Sequence, residues 1–337
     1  MVTDPTALYR LRDGVYAPDL LIVAVAELDL FSWLDKRGSV EPGEIVAEFG
    51  LAARPADVLV TYLVACGVLE RGGSRLRATD LAREHLTAGS PYDLRAYYGS
   101  LKERPGCAEL ARVLRTGEPA SWSSAAEGED WSQRLSDPAF AERITAAMDS
   151  RGRYLGPAMA EQLADLAMHR LLDVGGSSGI YASAVVDRFP SVGGAVLERP
   201  PVDAAARTLL AERGYGERVD VLVGDMFSGE LPRGFDVHLY SHVLHDWDEP
   251  SVRGLFAASF SALPPGGYVV DHDVHVNAEK TGPLAAAEYS VFLMHATPGK
   301  CWSTLELGDM LRDCGFKDVE HRTTVADRSL VLARKPA

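Results

Sequence analysis

The chain has 337 residues, of which 47% are hydrophobic, so it is long enough for one large or two ordinary domains. Its 48 acidic residues outnumber 34 basic ones, which gives a net charge of −14. With no run of lysine and arginine, the sequence predicts a protein that binds neither nucleic acid nor an anionic membrane.

The cysteines and the N-terminus indicate the compartment. Cys66, Cys107, Cys301 and Cys314 are scattered without a CxxC pair, which is typical of reduced thiols. The N-terminus has no charged-then-apolar signal, and no apolar run reaches the roughly 18 residues of a membrane span. We therefore expect a cytoplasmic protein.

Residues 1–90 predict a small helical domain that ends in a hairpin. Apolar residues recur at helical spacing in "DLLIVAVAELDLFSWLD" and "PADVLVTYLVACGVLE". "GVLERGGSRLRAT" then predicts two short strands around a Gly-Gly turn. This order is that of a winged helix, but the helices lack the basic residues of a DNA reader. Their apolar excess favours contact with a second subunit, so we expect a dimerisation domain.

Residues 91–166 predict a helical linker that contributes to a substrate pocket. Asp137 followed by Pro138 is a favourable helix start. The stretch "GEPASWSSAAEGEDWSQ" predicts a long loop carrying Trp122 and Trp131. Such a loop serves as a lid or pocket wall, or lies on the surface with its tryptophans in the core, and the sequence leaves both open.

Residues 167–337 predict an α/β domain. Continuous apolar runs such as "RLLDV", "GAVLE" and "FDVHLYS" alternate with helical segments. Continuous apolar runs are typical of strands that are buried on both faces. The alternation of such strands with helices predicts a Rossmann-like, doubly wound parallel sheet. The last run, "SLVLARK", is expected to be an edge strand.

A cofactor site is predicted at one edge of this sheet. "LLDVGGSSG" is a strand that enters a glycine-rich turn, and Glu198 ends the next strand, where its carboxylate can bind both hydroxyls of a ribose. A nicotinamide dinucleotide is disfavoured because the spaced GxGxxG pattern is missing. The predicted cofactor contacts are Asp173, Gly175, Gly176, Gly179, Glu198, Asp225, Met226 and Ser241.

The motifs resemble those of a known family over nearly the whole chain. "DVGGSSG" is similar to the first motif of class I S-adenosylmethionine-dependent methyltransferases. With "VLERPPV", "GDMF", "SHVLHDWDE" and "LPPGGYVV", it resembles the caffeic-acid and polyketide O-methyltransferase family. The resemblance implies S-adenosylmethionine as cofactor, a homodimer with interlocking N-terminal domains, His245 as catalytic base, and Asp273 as the acid that orients it.

One departure from that family points to another reaction. "LMHATPGKCWST" adds His295 where the family has "GKERT". This resembles the metal-holding α-keto acid C-methyltransferases of the same fold. The resemblance implies a zinc or iron ion held by His245, His295 and Asp273, with Asp273 the weakest assignment.

The two chemistries make different demands. A carbon beside a ketone is a weak acid, so a metal that chelates an α-keto acid and stabilises its enolate is the leading hypothesis. The alternative is a metal-free O-methyltransferase that acts on an aromatic hydroxyl with His245 as base. A ligand-sensing DNA-binding regulator is a third hypothesis, which the acidic charge disfavours.

The remaining candidates surround that chemistry. His242 is expected to line the cofactor pocket, and His272 to pack on the opposite face of its strand from Asp273. His275 is expected to lie past the strand end and to be solvated, with a substitute role as metal ligand left open. The candidates for binding a substrate carboxylate are Arg104, Arg151 and Arg153. The candidates for the apolar walls of a substrate pocket are Phe140, Met148, Phe292 and Trp302.

Overall fold

The computed structural model describes residues 2–120 and 134–337, so the loop of Trp122 and Trp131 lies outside the described residues. The chain divides into two compact units. The first comprises Met1–Trp122 and Val276–Ser303, and the second Ser123–His275 and Thr304–Ala337. Among the described helices, none is both long enough and apolar enough to cross a bilayer.

The first unit is mostly helical. Its regular elements are α1 (Thr6–Asp13), α2 (Ala17–Ile22), α3 (Leu30–Arg37), α4 (Pro42–Phe49), α5 (Ala53–Ala65), β1 (Leu69–Gly72), β2 (Arg75–Ala78), α6 (Asp80–His85), α7 (Arg95–Gly99), α8 (Pro105–Thr116) and α13 (Leu284–Ala296). A π-helical turn, Val23–Glu27, connects α2 to the segment before α3.

The predicted hairpin forms between β1 and β2. The two strands are antiparallel, with Leu69 opposite Ala78. Val40, which precedes α4, makes a further antiparallel bridge to Leu76. The hairpin therefore forms where the sequence predicts two short strands around a Gly-Gly turn, and the bridge from Val40 is an addition that the sequence does not predict.

Helix α13 belongs to the first unit, although the sequence-based division assigns it to residues 167–337. The helix is apolar on nearly every side, so it needs a core around it rather than one buried face. Helix α13 packs against α5, and its residues Val291 and Met294 belong to the hydrophobic core of the first unit. The Arg54 guanidinium, at the start of α5, donates to the carbonyls of Met294 (3.3 Å) and Gly299 (2.8 Å).

The second unit contains a seven-stranded sheet with helices. Its elements are α9 (Pro138–Glu161), β3 (Arg170–Val174), α10 (Ile180–Arg188), β4 (Gly193–Glu198), α11 (Val202–Glu212), β5 (Val219–Val223), β6 (Val237–Ser241), α12 (Glu249–Ala262), β7 (Tyr268–Asp273), α14 (Thr304–Asp313), β8 (Lys317–Thr323) and β9 (Ser329–Arg334). The strand order is β5-β4-β3-β6-β7-β9-β8.

The five strands from β3 to β7 in the chain are parallel, which confirms the predicted α/β sheet. The prediction that "SLVLARK" forms the edge is wrong, because β9 lies between β7 and β8. The edge is β8, whose residues are largely exposed and polar, so it lacks the apolar run that marks a buried strand. Both β8 and β9 run antiparallel to their neighbours.

The sheet topology fixes where a ligand can bind. The chain leaves β3 towards β4 and β5 on one side, and later returns to place β6 on the other side of β3. The loops after β3 and β6 therefore diverge and leave a crevice at the carboxyl ends of the strands, the usual ligand site of open α/β sheets. The glycine-rich turn follows β3, and His242 and His245 follow β6.

Candidate active site

The glycine-rich turn brings backbone to the edge of a pocket. Gly175 has φ of 67°, a conformation that favours glycine. A Cβ there would make van der Waals contacts with Met226 Sδ and Val243 Cγ2, both at 3.4 Å, and Gly175 is one of the residues that line the pocket. At Gly176 a Cβ would overlap the Asp173 carboxyl group at 2.4 Å. The two glycines thus have separate roles: Gly175 lines the pocket, and Gly176 leaves room for the buried carboxyl group of Asp173.

Asp173 supports the turn from below. Its side chain is fully buried, and its Oδ2 accepts a hydrogen bond from the Ala182 amide at 3.3 Å. Burial raises the pKa of Asp173 to about 7. Gly179, with φ of 72°, directly precedes α10, and a Cβ there would lie 3.0 Å from side-chain atoms of Leu210 and Val196. The structure therefore places both residues behind the pocket rather than among its lining residues.

Glu198 lies at the end of β4, in the pocket. Its Oε1 accepts from the Ser177 amide at 2.9 Å and its Oε2 from the Arg199 amide at 3.1 Å. Burial raises the pKa of Glu198 to about 7, although these two amides favour the ionised form. The carboxylate is therefore held in one orientation by backbone donors, with lone pairs remaining for the hydroxyls of a ligand.

A further part of the pocket lining consists of apolar and aromatic side chains together with the Asp225 carboxylate. Asp225 and Met226 line the pocket, as the sequence predicts, and Phe227 packs edge-on against Trp247 with ring centroids 4.6 Å apart. The full lining is Leu135, Ile144, Thr145, Met148, Gly175, Ser177, Leu197, Glu198, Arg199, Val202, Gly224, Asp225, Met226, Phe227, His242, Val243, Asp246 and Trp247.

This lining fits S-adenosylmethionine. An acidic side chain suits a ribose diol, and flat apolar and aromatic walls suit an adenine. Gly175 has no side chain, so its backbone lies at the pocket wall, where a ligand can approach it closely. Ser241 is not among the lining residues described, because its Oγ is hydrogen-bonded to His272 Nδ1 at 2.8 Å. It supports the site from within the sheet instead.

His245 and Asp273 form a buried pair. The Nδ1–H of His245 donates to Asp273 Oδ1 at 2.7 Å, and both residues are at most 4% exposed. His245 lies in a short 3₁₀ turn after β6, and Asp273 ends β7, the neighbouring strand. Adjacent parallel strands therefore position the two side chains, as the sequence predicts for this pair.

Charges around His245 favour its protonated form. Burial alone lowers the pKa of an imidazole, but the carboxylates of Asp273 and Asp246 outweigh it, so the pKa of His245 lies above its ordinary value. Asp246 Oδ1 lies 3.6 Å from His245 Nε2. Burial raises the pKa of Asp246 to about 6. The pair Asp273 and His245 thus orients Nε2, the second ring nitrogen, for proton transfer.

His242 lies on the other side of the same carboxylate. Its Nδ1 is 3.2 Å from Asp273 Oδ1, and its side chain is fully buried. Burial lowers the pKa of His242 well below its ordinary value. As predicted, His242 lines the pocket. Among the described residues, the group suited to hold a metal ion is His242, His245 and Asp273.

Two further histidines differ in how well the sequence describes them. His272 is buried against Ser241, in agreement with the expectation of a packed histidine. The expectation that His275 is solvated is wrong, because it is only 6% exposed and bonds Asp271 Oδ2 (2.9 Å) and Ser329 Oγ (2.7 Å). Strand β9 places Ser329 beside His275, a contact that sequence spacing does not reveal.

His295 belongs to the first unit, whereas His245 and Asp273 belong to the second. It lies on α13 in the first unit, where its Nε2 is hydrogen-bonded to Glu109 Oε2 at 2.7 Å. Its ring stacks on Tyr16 with centroids 3.9 Å apart. Burial lowers the pKa of His295, although Glu109 opposes that effect. The sequence gives no sign of Glu109 as a partner, since the two positions are far apart in the chain.

The candidate substrate residues also separate. Met148 lines the pocket, whereas Phe140 is buried elsewhere on α9, under the guanidinium of Arg134. Phe292 and Trp302 belong to the first unit, where they contact Arg12 and Lys300. Thus only Met148 of these four is among the lining residues described.

The three candidate arginines have different surroundings. Arg104 is held by Asp19 at 2.7 Å, in the first unit. Arg153 is exposed and contacts Asp149. Arg151 follows Met148 by one helical turn on α9, and its charge acts on His242 and Asp246. Of the two candidate arginines in the second unit, Arg151 is therefore the one whose charge acts on His242 and Asp246.

Sequence reasoning missed several pocket residues. Phe227 and Trp247 lie inside the quoted motifs, directly after Met226 and Asp246, so the motifs themselves carried the signal. Ile144 and Thr145 share the α9 face of Met148, and their helical spacing alone does not distinguish a pocket from a core.

A doubly wound sheet, a glycine-rich turn, an acid at the end of β4 and a histidine–aspartate pair after β6 and β7 define an S-adenosylmethionine-dependent methyltransferase. An O-methyltransferase domain model matches residues 107–317. The chain belongs to this O-methyltransferase family.

Known relatives agree over nearly the whole chain. The 3-hydroxy-5-methyl-1-naphthoate 3-O-methyltransferase of Streptomyces sahachiroi is 31% identical, over 94% of this chain and 90% of its own. The tetracenomycin polyketide synthesis 8-O-methyl transferase TcmO of Streptomyces glaucescens is 28% identical, over 99% and 98%. An O-methyltransferase family 2 protein from Planctomyces limnophilus, solved with apigenin, has a TM-score of 0.87, 30% identity and coverage of 99% and 97%.

Glu198→Gln is expected to weaken S-adenosylmethionine binding by about 1.5–3 kcal/mol, because the amide replaces a charged acceptor of ribose hydroxyls. Since burial raises the pKa of Glu198 to about 7, the wild-type affinity should fall as the pH drops below that value and the carboxylate is protonated. Calorimetry at several pH values measures both effects. The exposed Glu212→Gln is the control; equal affinity in both variants would remove Glu198 from the cofactor site.

Proposed function

We propose that the protein transfers a methyl group from S-adenosylmethionine to a hydroxyl oxygen of an aromatic metabolite, with His245 as general base. The observation that carries this proposal is the 2.7 Å hydrogen bond from His245 Nδ1–H to Asp273 Oδ1. It fixes the tautomer in which Nε2 has the lone pair, so Nε2 can accept a proton from an acceptor hydroxyl.

The electrostatics of His245 match this task. A phenolic hydroxyl has an ordinary pKa of about 10, so a base needs help to deprotonate it near neutral pH. The carboxylates of Asp273 and Asp246 raise the pKa of His245 despite its burial and stabilise the imidazolium that forms. As the proton moves to Nε2, the acceptor oxygen gains the electron density with which it attacks the methyl carbon.

The cofactor supplies an activated methyl group, and the protein supplies position. Glu198 and the turn at Gly175 hold the nucleoside part, and Met148 bounds the pocket on the α9 side. Alignment of the nucleophile with the S–CH₃ bond accounts for much of the rate of such a transfer. The names of the naphthoate, polyketide and apigenin-bound relatives support an aromatic acceptor.

Metal-dependent C-methylation of an α-keto acid, the leading hypothesis from the sequence, has less support. It requires His295 beside His245 and Asp273 as a third ligand. In the first unit, His295 Nε2 is already bonded to Glu109 and its ring is stacked on Tyr16. Both contacts give His295 partners within the first unit, and no step of the proposed reaction uses a metal.

Product analysis tests the proposal. Purified protein would be incubated with ¹³C-methyl-labelled S-adenosylmethionine and, in separate reactions, with a hydroxynaphthoate, a hydroxyflavone and phenylpyruvate. We expect a methyl group on oxygen in an aromatic product, formed equally in the presence of chelator. A methyl group on the carbon beside the ketone of phenylpyruvate, lost with chelator, would contradict the proposal and support C-methylation.

We further propose that residues 1–90 form a winged-helix-like domain that makes a homodimer. Leu8 and Leu11 lie on one face of α1 and are 68% and 76% exposed. Apolar side chains so exposed favour a protein contact. We expect a dimer by light scattering at micromolar concentration and a shift towards monomer in Leu11→Glu. A monomeric wild type would refute the dimer.

A further inference from the structure

We propose that His242, His245 and Asp273 together form a binding site for a divalent transition-metal ion, best matched by Zn²⁺, and that the bound ion inhibits the enzyme. The site itself is independent of the proposed function, whereas the inhibition rests on His245 being the base. The proposal differs from the sequence-based ligand set, because His242 replaces His295.

The geometry of the three side chains converges on one point. Each residue offers one ligand atom, and all three atoms lie within 4.8 Å of one another. Asp273 Oδ1 is 2.7 Å from His245 Nδ1 and 3.2 Å from His242 Nδ1. Ligand atoms around an ion with bonds of about 2.0–2.2 Å are separated by distances of this order.

Several polar atoms of this group have no hydrogen bond. Both ring nitrogens of His242, and Oδ2 of Asp273, are buried without a hydrogen-bond partner in the described part of the chain. The 3.2 Å approach of His242 Nδ1 to Asp273 is therefore not aligned as a hydrogen bond. Burying a polar atom without a hydrogen bond is unfavourable, so these atoms together favour a bound species at this position.

The backbone holds His242 in place. Its φ of 56° is left-handed, which a non-glycine residue seldom adopts, and its amide donates to the His272 carbonyl at 2.9 Å. The loop after β6 is thereby tied to β7, the strand that ends in Asp273. Strain of this kind is typical of sites where a side chain must point in one direction.

The donor set selects the kind of metal. Two imidazoles and one carboxylate suit zinc and its neighbours, and leave a coordination position for another ligand. Magnesium and calcium prefer sites made of oxygen, so neither is expected here. An ion bound to His245 would either occupy the Nε2 lone pair or replace the Nδ1–H bond to Asp273, and both changes remove a competent base.

Metal binding would be measured on the full chain after treatment with chelator. Competition with a chromogenic chelator gives the affinity for Zn²⁺, and Co²⁺ absorption reports the coordination. We expect one ion per chain, and at least a tenfold loss of affinity in His242→Gln and in Asp273→Asn. His295→Ala is the matched control and should retain the ion. Circular dichroism establishes that each variant is folded.

The outcomes separate the possible sites. Failure of the wild type to bind the ion, or equal binding by His242→Gln and the wild type, would overturn the site. Loss in His295→Ala with retention in His242→Gln would assign the ion to the sequence-based set instead. If the ion binds and turnover continues unchanged, the inhibition is wrong and the site stands. If turnover requires the ion, the metal-free function is contradicted as well, and the site still stands.

Discussion

His245→Ala is expected to lower kcat by about 10²–10⁴-fold, the usual contribution of a positioned general base. The substitution removes Nε2, the nitrogen that the 2.7 Å bond to Asp273 orients for proton transfer. Affinity for S-adenosylmethionine should change little, because the nucleoside contacts that we propose are at Glu198 and the turn at Gly175. Steady-state rates in chelator and calorimetry on the same preparation measure the two effects.

The control for this variant is His169→Ala. His169 has a side chain that is 90% exposed and lies just before β3, so its loss removes an imidazole without touching the site. If His245→Ala keeps more than about a tenth of the wild-type kcat, general-base catalysis by this residue is contradicted. Loss of cofactor affinity to the same extent as turnover would instead indicate a disturbed pocket.

The sequence predicts the parts of the site that follow directly from strand ends. Gly175, Glu198, Asp225 and Met226 all line the pocket, since parallel strands deliver their carboxyl ends to one edge of a sheet. The pairing of His245 with Asp273 follows from the same rule applied to β6 and β7. These inferences require only the order and direction of the strands. The apolar runs and the resemblance to the O-methyltransferase family provide both.

The sequence fails where the fold brings together distant or irregular segments. His295 has the residue type of a ligand, but its environment is set by Glu109 and Tyr16, and neither position is linked to it by a periodic pattern. His275 becomes buried because β9 inserts beside β7. The edge strand β8 is largely exposed and polar. Because an exposed strand does not require an apolar run, the pattern of apolar runs does not predict it.

His242 shows a third kind of limit. Its placement beside Asp273 depends on a left-handed backbone conformation in the residue after β6. A helical extrapolation from His245 to His242 predicts a pocket residue correctly but does not predict that both imidazoles approach one carboxylate oxygen. Local backbone exceptions of this kind are visible only in the structure.

Asp273→Asn is expected to lower kcat by about 10²–10⁴-fold with little change in cofactor affinity. An asparagine has the size of the aspartate, but its amide group can donate to Nδ1 and place the imidazole proton on Nε2, the wrong tautomer for a base. Asp273→Glu, which keeps the charge, should recover part of the rate. Full activity in Asp273→Asn would show that the hydrogen bond seen in the structure does not contribute to proton transfer.

The pH profile distinguishes this positioning role from a loss of packing. A base acts in its neutral form, so the rate rises with pH through the pKa of His245, which Asp273 and Asp246 raise against the effect of burial and of the Arg151 charge. In Asp273→Asn, burial and the Arg151 charge still lower the pKa of His245, and only the Asp246 carboxylate still raises it. The pKa of His245 therefore falls. The acidic limb of kcat should therefore move to lower pH in Asp273→Asn, measured in chelator, whereas a variant that was merely less well packed would keep the wild-type limb.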